Sequence, residues 1–193
     1  MKNLADAFQS AFAALLSAPI GRGVRPYQVE AIRRCGDAVA RGVRRVIVQL
    51  ATGGGKTLIA SAIAVGFRAV GLRVLFVVPA VELVDQTLEK FYREGLHDIA
   101  VIQANHWRTD WSQPVQIASV QSLMRRQIPP ADLVFIDEAH KWFDFYRKWM
   151  LNPAWALEFV LAISIAIRPE LSAMKSAVNS LVVRSRSCAM SAC

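Results

Sequence analysis

The stretch Gln-Leu-Ala-Thr-Gly-Gly-Gly-Lys-Thr-Leu-Ile-Ala-Ser-Ala-Ile-Ala, residues 49–64, decides how the chain is to be read. An apolar run ends in three glycines, and a lysine and a threonine then open a helical pattern. Glycines at 53, 54 and 55 let successive backbone N–H groups face inward where side chains would block an anion. The helix that follows adds partial positive charge at its start. A strand, a glycine turn and Lys-Thr at a helix start form a phosphate-binding loop. Lys56 is placed to reach the β- and γ-phosphates of a nucleotide, and the Thr57 hydroxyl to ligate Mg²⁺. The fullest form of this pattern has a glycine where Leu50 stands here.

Such a loop calls for an acidic partner at the end of a neighbouring strand. Asp-Leu-Val-Phe-Ile-Asp-Glu-Ala-His, residues 132–140, supplies one. In a parallel sheet Asp137 falls at a strand's carboxyl end beside the phosphate loop. Asp137 is expected in the Mg²⁺ shell, with Glu138 activating the attacking water.

Five short apolar runs read as buried strands: 45–50, 73–79, 99–103, 115–120 and 132–137. They are rich in Val and Ile and nearly continuous, as strands covered on both faces are. Helical patterns lie before the first strand, between the first two, and after the second, where the pattern stops near Gly95. This alternation predicts an α/β fold with a mainly parallel sheet flanked by helices. Leu4, Phe8, Phe12, Leu15 and Leu16 fall at helical spacing and predict an amphipathic helix in place of a signal peptide.

The chain has 193 residues, 54% hydrophobic and 20% charged, which describes a globular domain with a real core. A formal net charge of +8 suits a polyanionic partner such as nucleic acid. Three cysteines in no metal or disulfide pattern suit a reducing, cytoplasmic setting. The apolar run 159–167 is too short to span a bilayer, so no membrane association is expected.

Ala-Thr-Gly-Gly-Gly-Lys-Thr together with Asp-Glu-Ala-His resembles superfamily two helicases, and within them the type III restriction enzyme helicase-like group. The resemblance covers roughly residues 22–150 and implies a RecA-like fold, ATP and Mg²⁺ as cofactors, and nucleic acid, DNA before RNA, as partner. It places Thr52 with Gly53–Thr57 in the ATP loop. Arg-Pro-Tyr-Gln-Val-Glu-Ala-Ile resembles the upstream adenine-recognition segment, carrying over to Arg25, Tyr27 and Gln28. Val-Val-Pro-Ala-Val-Glu-Leu-Val-Asp-Gln-Thr and Ile-Ala-Ser-Val-Gln-Ser-Leu resemble segments that touch the nucleic-acid backbone. They carry over to Pro79, Leu83 and Gln86, and to Ser119 and Gln121.

The resemblance also implies parts that this chain lacks. Enzymes of this group close a second RecA-like domain over ATP and draw arginine fingers from it. No Gln-x-x-Gly-Arg-x-x-Arg string occurs here, and no Ser-Ala-Thr segment for His140 to contact. All ten glycines lie at or before Gly95, and residues 156–193 differ in composition from what precedes them. The expected division is therefore an N-terminal helical extension (1–21), a RecA-like ATP-binding domain (22–155) and an atypical tail (156–193). That tail reads either as the product of a shifted frame or as a short form with C-terminal helices of its own. The expected activity is ATP hydrolysis to ADP and phosphate, weak or absent without a partner chain that brings the second domain. A nucleotide-binding regulator without turnover and a nucleic-acid-binding protein with a vestigial ATP site are the alternatives.

Overall fold

In the computed structural model the described residues are 4–17, 24–50, 53–103, 106–139, 159–164 and 181–184. Their elements, in order, are α1 (Leu4–Ser17), α2 (Pro26–Ala40), β1 (Arg45–Gln49), α3 (Lys56–Ala69), β2 (Val74–Val78), α4 (Leu83–Arg93), β3 (Ile99–Ile102), β4 (Val115–Ser119), α5 (Val120–Met124), β5 (Leu133–Ile136), β6 (Phe159–Ser164) and β7 (Leu181–Arg184). Among the described residues the strands form one seven-stranded sheet in the order β3-β4-β2-β5-β6-β1-β7. Every pairing in it is parallel.

The near-continuous apolar runs fold as two-sided strands. Val46 and Val48 belong to one core with Val74, Phe76 and Val78, and this core takes in the apolar sides of α1, α2, α3 and α4. The alternate residues Ile47, Leu75 and Val77 join Ile136, Leu123 and Ile128 in a second core on the opposite face. Strand residues of period two thus face two buried apolar layers. Phe76 joins the layers of the first core, its ring 5.0 Å from Phe91 on α4 and 4.7 Å from Phe135 on β5.

α1 meets α3 backbone to backbone. A Cβ at Gly66 would lie 2.3 Å from the Ala11 amide nitrogen and 2.4 Å from the Ala7 carbonyl oxygen. Ala7 and Ala11 are fully buried, and Phe8 packs edge-on against Phe67 at 5.4 Å. The predicted N-terminal helix is therefore docked on α3, the helix that follows the glycine turn.

The sheet also continues past residue 155. β6 lies between β5 and β1, with Ile136 opposite Ala162 and Gln49 opposite Ser164. β7 closes the other side of β1. The run Phe-Val-Leu-Ala-Ile-Ser is apolar and of strand length, and Val160, Leu161 and Ala162 are buried. Residues 159–164 and 181–184 thus supply two strands to the same sheet.

Candidate active site

All loops that leave the sheet at its carboxyl edge converge at one end, because the strands are parallel. The turn after β1 and the turn after β5 are two positions apart there, with β6 between them. Gly53 and Gly55 have φ of 74° and 75°, in the left-handed region that favours glycine. Gly55 is the N-cap of α3 and Lys56 its first residue. The first α3 bond runs from the Ile59 N–H to the Gly55 carbonyl, at 3.2 Å. The amides before it precede the helical ladder and face outward along the axis, as an anion site requires.

Lys56 Nζ donates to Glu138 Oε1, so the cation of the loop and the acid after β5 meet as an ion pair. Both side chains are half-buried, at 18% and 23% exposure. Glu138 has φ 49°, a left-handed conformation rare for a residue with a side chain, held by the turn that follows β5. Asp137 donates its N–H to the Val77 carbonyl at 2.9 Å and accepts the Glu138 N–H at 2.9 Å on Oδ1. Burial pushes the Asp137 carboxyl above its ordinary range; the Lys56 charge opposes the shift and Glu138 adds to it.

The upstream segment reaches the same loop. Arg25 is extended because a proline follows it, and Pro26 opens α2. Gln28, only 4% exposed, accepts the Arg25 N–H at 3.0 Å and donates from Nε2 to the Gly54 carbonyl at 3.3 Å. The Tyr27 hydroxyl donates to that same carbonyl at 3.0 Å and accepts from Arg25 Nη1 at 3.0 Å. Arg25, Tyr27 and Gln28 are thus gathered at the glycine turn, and Gln28 spends both ends of its amide on protein backbone.

The residues matched to backbone-contacting segments lie at the ends of β2 and β4. Pro79 is buried, Leu83 packs on the first core and Gln86 is exposed. Gln121 Nε2 donates to the Pro79 carbonyl at 3.2 Å, which ties the two segments together. Ser119 is fully buried and caps α5, its hydroxyl accepting the Ser122 N–H at 3.1 Å. Its side chain therefore serves the helix start and does not face solvent. Thr52 and His140 lie outside the described residues.

The amides at the start of α3, a lysine, a helix-start threonine and a partly buried aspartate suit a nucleotide phosphate with its magnesium. No group of three or more His, Cys, Asp or Glu among the described residues gathers as a protein-only metal site would. No helix among the described residues is long and apolar enough to cross a membrane.

A parallel sheet with a glycine turn after β1 and an acidic pair after β5 is the RecA-like fold. Residues 22–160, well over half the chain, match the family described as "Type III restriction enzyme, res subunit", and the chain belongs to it as a superfamily two helicase N-terminal domain. It is 32% identical over 139 residues to the Type I restriction enzyme EcoKI endonuclease subunit of Escherichia coli K12, covering 62% of this chain and 12% of that protein. It is 35% identical over 140 residues to the putative ATP-dependent helicase IRC3 of Saccharomyces cerevisiae, covering 64% of this chain and 19% of that one. The fold is similar to the UvsW helicase of bacteriophage T4, with a TM-score of 0.67 at 19% identity over 87% of this chain and 62% of that one. The chain thus corresponds to less than a fifth of the two curated relatives.

The surroundings of Trp107 and Arg108 were not foreseen from the sequence. A Trp-Arg pair inside the polar stretch Gln103–Trp111 is the signal that marks them.

Proposed function

We propose that the chain is the ATP-binding half of a nucleic-acid-dependent ATPase of the helicase type. The observation that carries this reading is the meeting of Lys56, at the head of α3, with Glu138 at the end of β5. One cation and one acid from distant parts of the sequence converge at a glycine turn that leaves room for a phosphate: a Cβ at Gly53 would meet nothing within 4 Å.

In this reading the α3 amides and Lys56 bind the phosphates, Lys56 leaving Glu138 as it does so. Thr57 and Asp137 hold the metal. Magnesium, when bound, neutralises phosphate charge and aligns the terminal group for in-line attack. Glu138, released from Lys56, accepts the proton of the attacking water. Arg25, Tyr27 and Gln28 brace the turn on the adenine side, and Gln28 reads an adenine edge only by giving up its bond to the Gly54 carbonyl. Turnover by this chain alone is slow, because a finger arginine from a second lobe contributes roughly 10³–10⁵ in rate. Nucleic-acid binding, DNA before RNA, rests on the net charge of +8 and on Gln86 and Gln121, the exposed residues of the segments after β2 and β4.

The test is ATP binding and phosphate release with and without single-stranded DNA, for the wild type and Glu138→Gln. The proposal expects binding by both, slow release by the wild type and still slower release by the variant. ATP binding by both proteins with no release by either, with or without DNA, favours a nucleotide-binding module without turnover.

A further inference from the structure

We propose that Trp107, braced by Arg108, is a stacking platform for an unpaired nucleic-acid base, extending the strand-binding track beyond the β2 and β4 turns. The proposal rests on the nucleic-acid part of the function proposed above.

Trp107 is 76% exposed, the most open of the large apolar side chains among the described residues. A single exposed tryptophan is unremarkable if it is loose, but this one is held on several sides. The His106 ring stacks on it at 5.9 Å and 23°. The Arg108 guanidinium lies 5.1 Å from its centroid and 5.2 Å from that of Tyr92. His106 is itself fixed: its Nδ1 accepts the Arg108 N–H at 3.1 Å, so Nε2 carries the proton that it donates to Asp85 at 2.9 Å. The backbone is held as well, since the Val101 N–H donates to the Arg108 carbonyl at 3.0 Å. An aromatic ring fixed in place yet largely open loses little freedom when a flat partner settles on it.

The position and the charge select the partner. Asp85 sits in the first turn of α4, between Leu83 and Gln86, so the ring is tethered to the segment already matched to strand contacts. The nearby carboxylates are engaged: Asp85 with His106, Asp98 with Arg68, and Asp110 with Ser112 and Gln113. The Arg108 guanidinium beside the ring donates from Nη2 to the His97 carbonyl at 3.2 Å and, among the described residues, pairs with no carboxylate, so its charge can face a phosphate without a competing anion. A fixed indole with an adjacent cation is the pairing that holds single strands without reading sequence, because every base has a π-face. A duplex hides those faces, so the partner is single-stranded.

The experiment measures binding of the 193-residue chain to labelled oligothymidylate, and to an abasic strand of equal length, by fluorescence anisotropy at fixed salt. Trp107→Ala is expected to bind oligothymidylate about tenfold more weakly, the loss of one base stack. Trp107→Phe should keep most of the affinity, and on the abasic strand all three proteins should bind alike. Trp107→Ala binding oligothymidylate as the wild type does would overturn the platform and leave the rest of the proposed function standing; that is the result if Trp107 serves a protein surface instead. An equal loss on the abasic strand also overturns it. A wild type that binds neither strand removes both the platform and the nucleic-acid part of the function.

Discussion

At Gly55 two constraints coincide. Its φ of 75° costs any residue with a side chain about 1–2 kcal/mol. Its missing Cβ leaves the space taken by Gln28 Nε2, which would lie 2.2 Å from an added carbon. Gly55→Ala must therefore strain the turn and displace the Gln28 amide from the Gly54 carbonyl, for roughly 1–2 kcal/mol more. Adding Gln28→Ala removes the collision and leaves the strain. Urea denaturation of the single and double variants should then show non-additive losses, and strictly additive losses would mean that Gln28 does not guard the turn. Asp137 gives a second residue-level expectation. Burial raises its carboxyl above the ordinary 3.8, so the folded chain holds that proton more tightly than the unfolded chain. Its contribution to stability is present at acid pH and is lost as pH rises from the ordinary value through the raised one. Asp137→Asn, neutral at every pH, should melt at a higher temperature than the wild type at pH 7 without nucleotide, and should gain less from Mg²⁺ and ATP. A lower melting temperature for the empty variant would contradict this. Roles of this kind were only partly legible in the sequence. Lys56, Thr57, Asp137 and Glu138 were marked by spacing alone, whereas the burial of Ser119 as a helix cap and the use of both ends of Gln28 depend on neighbours distant in the chain.

Among the elements, α1 and α3 show most clearly how a tertiary contact overrides local preference. Helix propensity alone says that Gly66→Ala stabilises α3 by about 1 kcal/mol. The structure says the reverse, because the atoms nearest an added Cβ are α1 backbone, at 2.3 to 2.6 Å, and cannot swing aside. Gly66→Ala should destabilise the chain by about 1–3 kcal/mol through forced displacement of α1, as read by chemical denaturation. Net stabilisation would mean that α1 is not seated as described. The five strands of the body were legible from their Val- and Ile-rich runs to within a residue or two. β6 was not. Its run satisfies the length of a strand, but only pairing with β1 and β5 tells a central strand from an apolar segment of another kind. β7 is Leu-Val-Val-Arg between Ser180 and Ser185, with an apolar run of only three residues to mark it.

Among the described residues the strands form one sheet, and the proposed function sets the catalytic groups at its carboxyl edge with the strand-binding surface along that edge. In that proposal this lobe forms the ground-state contacts with ATP, and a second lobe brings charge to the transition state. Unwinding requires two lobes that open and close around the nucleotide, so this chain by itself should bind strands without separating them. Strand binding should weaken steeply with salt, since phosphate contacts release counterions; a titration from low to physiological salt that leaves affinity flat would argue against a backbone-gripping surface. The convergence of Lys56 and Glu138 is the centre of the account, and equilibrium binding of Mg²⁺-ATP to the wild type, Lys56→Ala and Glu138→Gln tests it most directly. The account predicts that Glu138→Gln binds at least as tightly as the wild type, freed of the ion pair that competes for Lys56, and that Lys56→Ala loses measurable binding. Lys56→Ala binding nucleotide with wild-type affinity would contradict it.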